Sequence, residues 1–461
     1  MNAKHSNAFR LDVHQSEILR KAVHIGMLGF AFALRYLSPF EALLCACGAC
    51  AFNLWCLPRA YGRIFRQSER SPLGSGPFFY SLSVLILILV FFRHLYIVAG
   101  AWAVMALGDG MAGLGGRSPR QLPLPWNQRK TVSGSSRFIA FATLGAFVLM
   151  AWTLPSSPGL RFSWLWIGSV CLGVSICCAA IESLSWRLND NLTVPLAAGA
   201  LFFLVLHTPL LSVLTSHDFG RSLAIGLVVN IILASIAWLL GWISASGAVA
   251  GVPLGTSIFV FLGARGLSLL LAFFILGSIS TKLGYGSKRK LGMSQRHRGA
   301  RGAKEALANG VSPALLAVLA SVTPNGDLFL IGFISALAAA TADTVSSEIG
   351  QWIGGEPFLI TNLARVCPGT NGAVTIKGTL SGIIAACLLG LLALQLGMIS
   401  LVQFWIVQVG GLVGNLTDSL LGASVEGDNG LDNESVNFLN TLAGAGAGMA
   451  LEWWWRHSLA S

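Results

Sequence analysis

Along this chain, runs of about 20 predominantly apolar residues alternate with short polar segments, the spacing of membrane-crossing helices and not of amphipathic helices around a water-soluble core. The pattern predicts fifteen spans, beginning near Val23, Glu41, Phe78, Leu95, Phe138, Ser163, Leu192, Ser222, Ile243, Gly266, Ala306, Leu328, Ile376, Leu401 and Val436. The predicted fold class is all-α, a polytopic integral membrane protein. Met1 to Lys21 is polar, and the first apolar run lacks a small-residue cleavage site, so the first span is expected to be retained.

Composition agrees: 54% of residues are hydrophobic and 11% charged, against about 25% charged in soluble domains. The net charge of +11 would point to nucleic acid in a soluble protein. Here its placement matters more. With the N-terminus inside, 24 of the 30 Lys and Arg fall in cytoplasmic segments, leaving Arg35, Arg93, Arg161, Arg221, Arg265 and Arg456. The expectation is a bacterial inner (plasma) membrane protein with no nucleic-acid partner, its N-terminus cytoplasmic and its C-terminus outside. Cys45, Cys47, Cys50 and Cys56 share one apolar run with no His or acid alongside, and read as small hydrophobes, not as a metal site or a disulfide framework.

The chemistry concentrates between Ala106 and Arg137, where an apolar run ends in Asp109, glycines and a basic loop. An acid at membrane depth is costly and marks a functional site by default. Gly108 and Gly110 permit close backbone approach, while Lys130, Thr131, Ser133, Gly134 and Ser135 supply a cation, hydroxyls and helix-start amides suited to phosphate. An Asp for Mg²⁺ beside phosphate donors is the minimal kit for phosphoryl transfer. GDGMAG matches G-x-G-x-x-G, but it follows a run too long for a Rossmann strand, so it does not read as a dinucleotide site. Glycines alone serve helix packing as readily; Asp109 with Lys130 tips the reading toward a ligand site. Glu182, Asp190 and Asn191 fall on the same predicted membrane face. His24 follows Arg20-Lys21 at a membrane entrance, where it serves phosphate contact or interfacial packing.

The second half repeats this arrangement. LGDGMA is answered by TADTVS, so Asp343 pairs with Asp109; KTVSGS by VTIKGT; Glu182-Ser183 by Asp418-Ser419; and Asn191 by Asn437. A seven-span unit that starts inside ends outside, so a parallel second copy needs an eighth span as adaptor, near Ser222. The predicted architecture is thus two parallel seven-helix repeats plus one adaptor helix, with domains 1–219 and 220–461. Lys282 to Lys304 holds eight Lys and Arg, a lipid anchor or a phosphate site. Pro368 to Gly372 is a turn whose amides suit phosphate. Glu426, Asp428, Asp432 and Glu434 form an acidic patch, read as a solvated loop before a metal site.

Arg20-Lys21-x-x-His24, GDGMAG, RKTVSGS, Glu182-Ser183 and Asp190 to Pro195, in that order over residues 15–215, resemble the phytol kinase and dolichol kinase family. The resemblance implies an integral membrane enzyme that phosphorylates isoprenoid alcohols, typically with CTP. GARGAKEALANG, ATADTVSSEIG, PGTNGAVTIKGTLSG and GNLTDSLLGA, over residues 225–455, resemble the membrane phytyl-phosphate kinase family, which adds a second phosphate to an isoprenoid monophosphate. The second copy departs from the first: it lacks a counterpart of Arg20-Lys21-x-x-His24, and Ala342 and Thr344 replace Gly108 and Gly110.

The combined expectation is a fused two-step kinase with Mg²⁺ and CTP, acting on an isoprenoid alcohol and its monophosphate in contact with membrane lipids. In the first site Asp109, Glu182 and Asp190 hold metal or position the hydroxyl, and Arg20, Lys21, His24, Gly108, Gly110, Lys130, Thr131, Ser133, Gly134, Ser135 and Asn191 face the nucleotide phosphates. In the second, Asp343, Glu348 and Asp418 take the acidic role, with Arg301, Thr370, Gly372, Lys377, Thr379 and Asn437 toward phosphates. The alternatives are a CTP-dependent cytidylyltransferase of a lipid phosphate and a duplicated secondary transporter.

Overall fold

A computed structural model describes residues 24–57, 76–114, 122–124, 127–154, 163–183, 189–284, 300–353, 355–426 and 431–458. Arg20, Lys21 and Asp428 lie outside the described residues. Among the described residues, ten helices are long and apolar enough to cross a membrane, and the chain is an all-α polytopic membrane protein. It divides into two compact units, Met1–His207 and Thr208–Ser461. The short helix Leu210–Leu214 packs on the helix that follows it.

In the first unit the helices are α1 (His24–Arg35), α2 (Pro39–Cys56), α3 (Gly76–Val90), α4 (Leu95–Gly113), α5 (Val132–Thr153), α6 (Trp164–Ser183) and α7 (Asp190–His207). A two-stranded antiparallel hairpin, β1 (Pro123–Leu124) and β2 (Asn127–Thr131), precedes α5. The core forms around α4, the most enclosed span of the unit, in which 72% of an 18-residue stretch is buried. Small residues make this possible: a Cβ on Gly100 would come within 2.8 Å of Met150, and one on Gly145 within 2.4 Å of Leu107. α4 widens into a π-helical segment, Val104–Asp109, whose last residue is Asp109 before a final α-helical turn. Such wide turns gather at functional sites.

In the second unit the short helix α8 (Leu210–Leu214) is followed by α9 (His217–Leu239), α10 (Ala245–Lys282), α11 (Ala303–Val322), α12 (Gly326–Ile353), α13 (Ile376–Gln395), α14 (Leu401–Ser424) and α15 (Asn433–Ser458). α10 covers two predicted spans and breaks at Gly263, whose φ of 65° is a left-handed conformation open to glycine. The strands β3 (Phe358–Leu359) and β4 (Ala373–Val374) pair ahead of α13. The enclosed helix is α12, one 18-residue stretch of which is also 72% buried, and it carries Asp343. α14 and α15 close on it through glycine: a Cβ on Gly414 would meet Ala339 at 2.4 Å, and one on Gly448 would meet Ser335 at 2.2 Å. Both helices carry polar residues such as Asp418 and Glu452, and they fall outside the ten apolar spans.

Candidate active site

The first unit gathers three acids from three helices. Asp109 ends the π-helical turn of α4, Glu182 stands one residue before the end of α6, and Asp190 opens α7. One carboxylate oxygen from each lies within 4.8 Å of the others. Lys130 on β2 reaches this cluster, donating to Glu182 and standing 3.5 Å from Asp190 Oδ2. Burial opposes the Lys130 charge, but the carboxylates of Asp190, Glu182 and Asp109 outweigh it and hold its pKa above the usual value. The lysine is therefore a fixed cation within an acidic site.

The hairpin is what aims it. Asn127 Nδ2 donates to the carbonyl of Ser183 at 3.0 Å, tying β2 to the end of α6, and Thr131 caps α5 by accepting from the Gly134 amide at 3.1 Å. Gly134 in turn lies beside the Ala112 carbonyl, so α5 begins next to the Asp109 end of α4. Ser133 is exposed and Ser135 half-buried. The two glycines flanking Asp109 have packing partners: a Cβ at Gly108 would meet Phe138 at 2.8 Å, and one at Gly110 would meet Ile25 at 2.7 Å. Asn191 donates Nδ2 to the Gly76 carbonyl at 3.1 Å, fastening α7 to α3.

Beside the acids lies an apolar cavity of about 680 Å³, walled chiefly by residues of α1, α2 and α3 such as Leu34, Ala46, Val84 and Ile88. Its polar lining includes His24, Asn53, Tyr80 and Asn191. His24 and Asn191 bring it to the site, since Ile25 packs on the residue after Asp109 and Asn191 follows Asp190. Nothing in the sequence pattern marks this cavity, because its residues read as ordinary span hydrophobes.

The second unit places its acids around a larger, polar cavity of about 710 Å³. Asp343, Glu348, Asp418 and Glu426 line it, with Thr370, Gly372, Thr379, Asn415 and Asn437. Asp343 and Asp418 interact directly, and Asp418 Oδ2 is buried without a hydrogen-bond partner. Ser346 donates to Asn415 Oδ1 at 3.3 Å, joining α12 to α14. Burial pushes the Glu426 carboxyl up, and Asp343, Glu434 and Asp432 add to the effect. Gly372 takes φ 69°, and a Cβ there would strike the Ala423 amide nitrogen at 2.1 Å, so the Pro368 to Gly372 turn is seated on α14. Two predicted phosphate ligands stand apart from the lining. Lys377 is exposed on the first turn of α13. Arg301 lies over the Phe273 and Phe274 rings, against Gly277, where burial lowers its pKa and Glu348 and Glu305 oppose that shift. No cation lines this cavity among the described residues.

The family model described as integral membrane protein DUF92 matches residues 228–445. An uncharacterised membrane protein of Methanocaldococcus jannaschii is 41% identical over 206 residues, which are 44% of this chain and 84% of that protein. The chain belongs to the DUF92 integral membrane protein family. It is also similar to the chloroplast protein VTE6 of Arabidopsis thaliana, 32% identical over 44% of this chain and 63% of VTE6. Chloroplast phytol kinase 1 of the same plant is 30% identical over 40% of this chain and 66% of the kinase. The chain thus spans a little under two thirds of the length of each of these two plant proteins, and each match covers less than half of the chain. No solved structure matches.

Proposed function

We propose that this DUF92 protein is a membrane phosphotransferase that works in two steps: residues 1–219 convert an isoprenoid alcohol to its monophosphate, and residues 220–461 convert the monophosphate to the diphosphate, with CTP as donor. The observation that carries this reading is the Asp109–Glu182–Asp190 cluster with Lys130 at its edge, bordered by an apolar cavity of about 680 Å³. A phosphate-transfer kit next to a cavity for an apolar chain fits an acceptor with a polar head and a hydrocarbon tail. The phytol kinases among the similar proteins support the same acceptor class. By the Lys and Arg distribution, the N-terminus and the acids of each unit face the cytoplasm, and the units read as parallel repeats with α9 as adaptor.

Three carboxylates whose oxygens lie within 4.8 Å form a hard-oxygen set that fits Mg²⁺, with positions left for water and phosphate. Bound there, Mg²⁺ would offset charge on the donor phosphates. The acceptor oxygen attacks the terminal phosphorus, the bond to the nucleoside diphosphate breaks, and the hydroxyl proton passes to a carboxylate of the triad. Lys130 faces the charge that develops on the transferred group. In the second unit the acceptor is itself a phosphate, already ionised near neutral pH, so that step needs positive charge more than it needs a base.

Purified full-length protein in detergent, given labelled CTP, Mg²⁺ and a C20 prenol, is expected to release CDP and yield prenyl monophosphate, then diphosphate. Pyrophosphate release would instead mark a cytidylyltransferase, and an absence of metal-dependent transfer would overturn the kinase reading.

A further inference from the structure

His24 is tied to the helical segment that carries Asp109. Its Nε2–H donates to the Met105 carbonyl at 3.3 Å, and Met105 lies in the π-helical turn that ends at Asp109. Its own carbonyl accepts from the Tyr80 hydroxyl at 3.2 Å, and that hydroxyl accepts at 2.7 Å from Nε1 of Trp102, two residues before the π segment. The Tyr80 ring meets the His24 ring edge-on, with centroids 4.6 Å apart. His24, Tyr80 and Trp102 all line the apolar cavity. Gly110 makes the approach possible, because a Cβ there would overlap Ile25 at 2.7 Å and touch His24 at 4.0 Å.

We propose that His24 is a positioning residue that couples occupancy of the apolar cavity to the metal-binding geometry of Asp109, Glu182 and Asp190. The proposal rests on the reading of the first unit as a metal-dependent kinase. An apolar chain entering the cavity packs on the His24–Tyr80 pair and restrains the His24 ring. The ring's hydrogen bond to Met105 then holds the turn that presents Asp109. Coupling of this kind is reciprocal: the chain tightens the metal by the factor by which the metal tightens the chain.

The test measures Mn²⁺ binding by electron paramagnetic resonance on full-length protein carrying Asp343→Asn, with and without a C20 prenol, counting only the binding that Asp109→Asn removes. The prenol is expected to tighten Mn²⁺ about fivefold or more, the lower end of ordinary coupling between sites. His24→Phe keeps a ring against Tyr80 but has no donor, and the factor should fall to one whatever its affinity for each ligand alone. His24→Gln, whose amide can donate to Met105, should restore part of the factor. An undiminished factor in His24→Phe overturns the proposal and leaves the kinase reading standing. A lack of any Asp109-dependent Mn²⁺ binding overturns the kinase reading, and this proposal with it.

Discussion

The two acidic sites use one local construction and differ in where their cations stand. In each, a short strand pair runs into a threonine that caps the next helix, Thr131 on the Gly134 amide and Thr375 on the Gly378 amide, both at 3.1 Å. In each, the acid stands on the most enclosed helix of its unit, Asp109 in the last turns of α4 and Asp343 further inside α12. The residue before the cap differs: it is Lys130 in the first unit and Val374 in the second. The first unit therefore holds a cation ion-paired among three carboxylates, while the second has four carboxylates lining its cavity and no described cation in that lining, Arg301 acting on Glu348 from outside it. Under the proposed two-step reading, an alcohol acceptor brings no charge and one lysine beside the acids can serve it, whereas a phosphate acceptor adds negative charge to an acidic cavity.

The comparison breaks most visibly at the acids. Asp109→Asn should lower alcohol phosphorylation by about 100-fold or more while phosphorylation of supplied monophosphate continues; Asp343→Asn should do the reverse and make monophosphate accumulate. Thin-layer separation of labelled products reads both, and equal loss of both steps in either variant would point to one composite site. Next in size is the lysine contrast. Lys130→Met should cost the first step about 2 to 4 kcal/mol of transition-state stabilisation, whereas Lys377→Met should leave the second step near wild type. Steady-state rates of folded variants decide this, and near-normal turnover in Lys130→Met would remove the lysine from the chemistry.

Packing gives a smaller difference. A Cβ at Gly378 would meet the Ser346 carbonyl at 2.5 Å and Gly350 at 3.0 Å, both on α12, while one at Gly134 would meet the Thr131 hydroxyl at 3.1 Å. Gly378→Ala should destabilise by about 1 to 3 kcal/mol and Gly134→Ala by less than about 1 kcal/mol, as thermal unfolding in detergent would show. The smallest effect concerns pH. Burial and acidic neighbours raise the Glu426 pKa, so the folded state favours its protonated form. Ionising it costs stability once pH exceeds the unfolded carboxyl value, about 4.3, and the cost is complete above the folded value. In chelator, Tm should fall from pH 5 to pH 8, and Glu426→Gln should flatten part of that slope.

That the chain is built of membrane-length helices was legible because a membrane imposes length and apolarity, and the acids drew attention because charge in a span has no cheap explanation. The uses of glycine and lysine were less so. GDGMAG signals close approach, but not what approaches; at Gly108 it is the Phe138 ring and at Gly110 the side chain of Ile25. KTVSGS and VTIKGT align on their capping threonines, yet Lys130 precedes its cap, on the strand, and Lys377 follows its own by two residues, on an exposed helical turn. A shift of three positions across a helix start changes where a side chain points, and similarity of motif does not carry that. The apolar cavity had no sequence signal, since Leu34, Val84 and Ile88 satisfy a lipid-facing pattern and a cavity wall equally well.

The central claim is that the second step has its own site. Full-length Asp109→Asn protein, supplied with prenyl monophosphate, labelled CTP and Mg²⁺, tests it in one measurement. The account predicts prenyl diphosphate at the wild-type rate; diphosphate formation lost along with alcohol phosphorylation would contradict it.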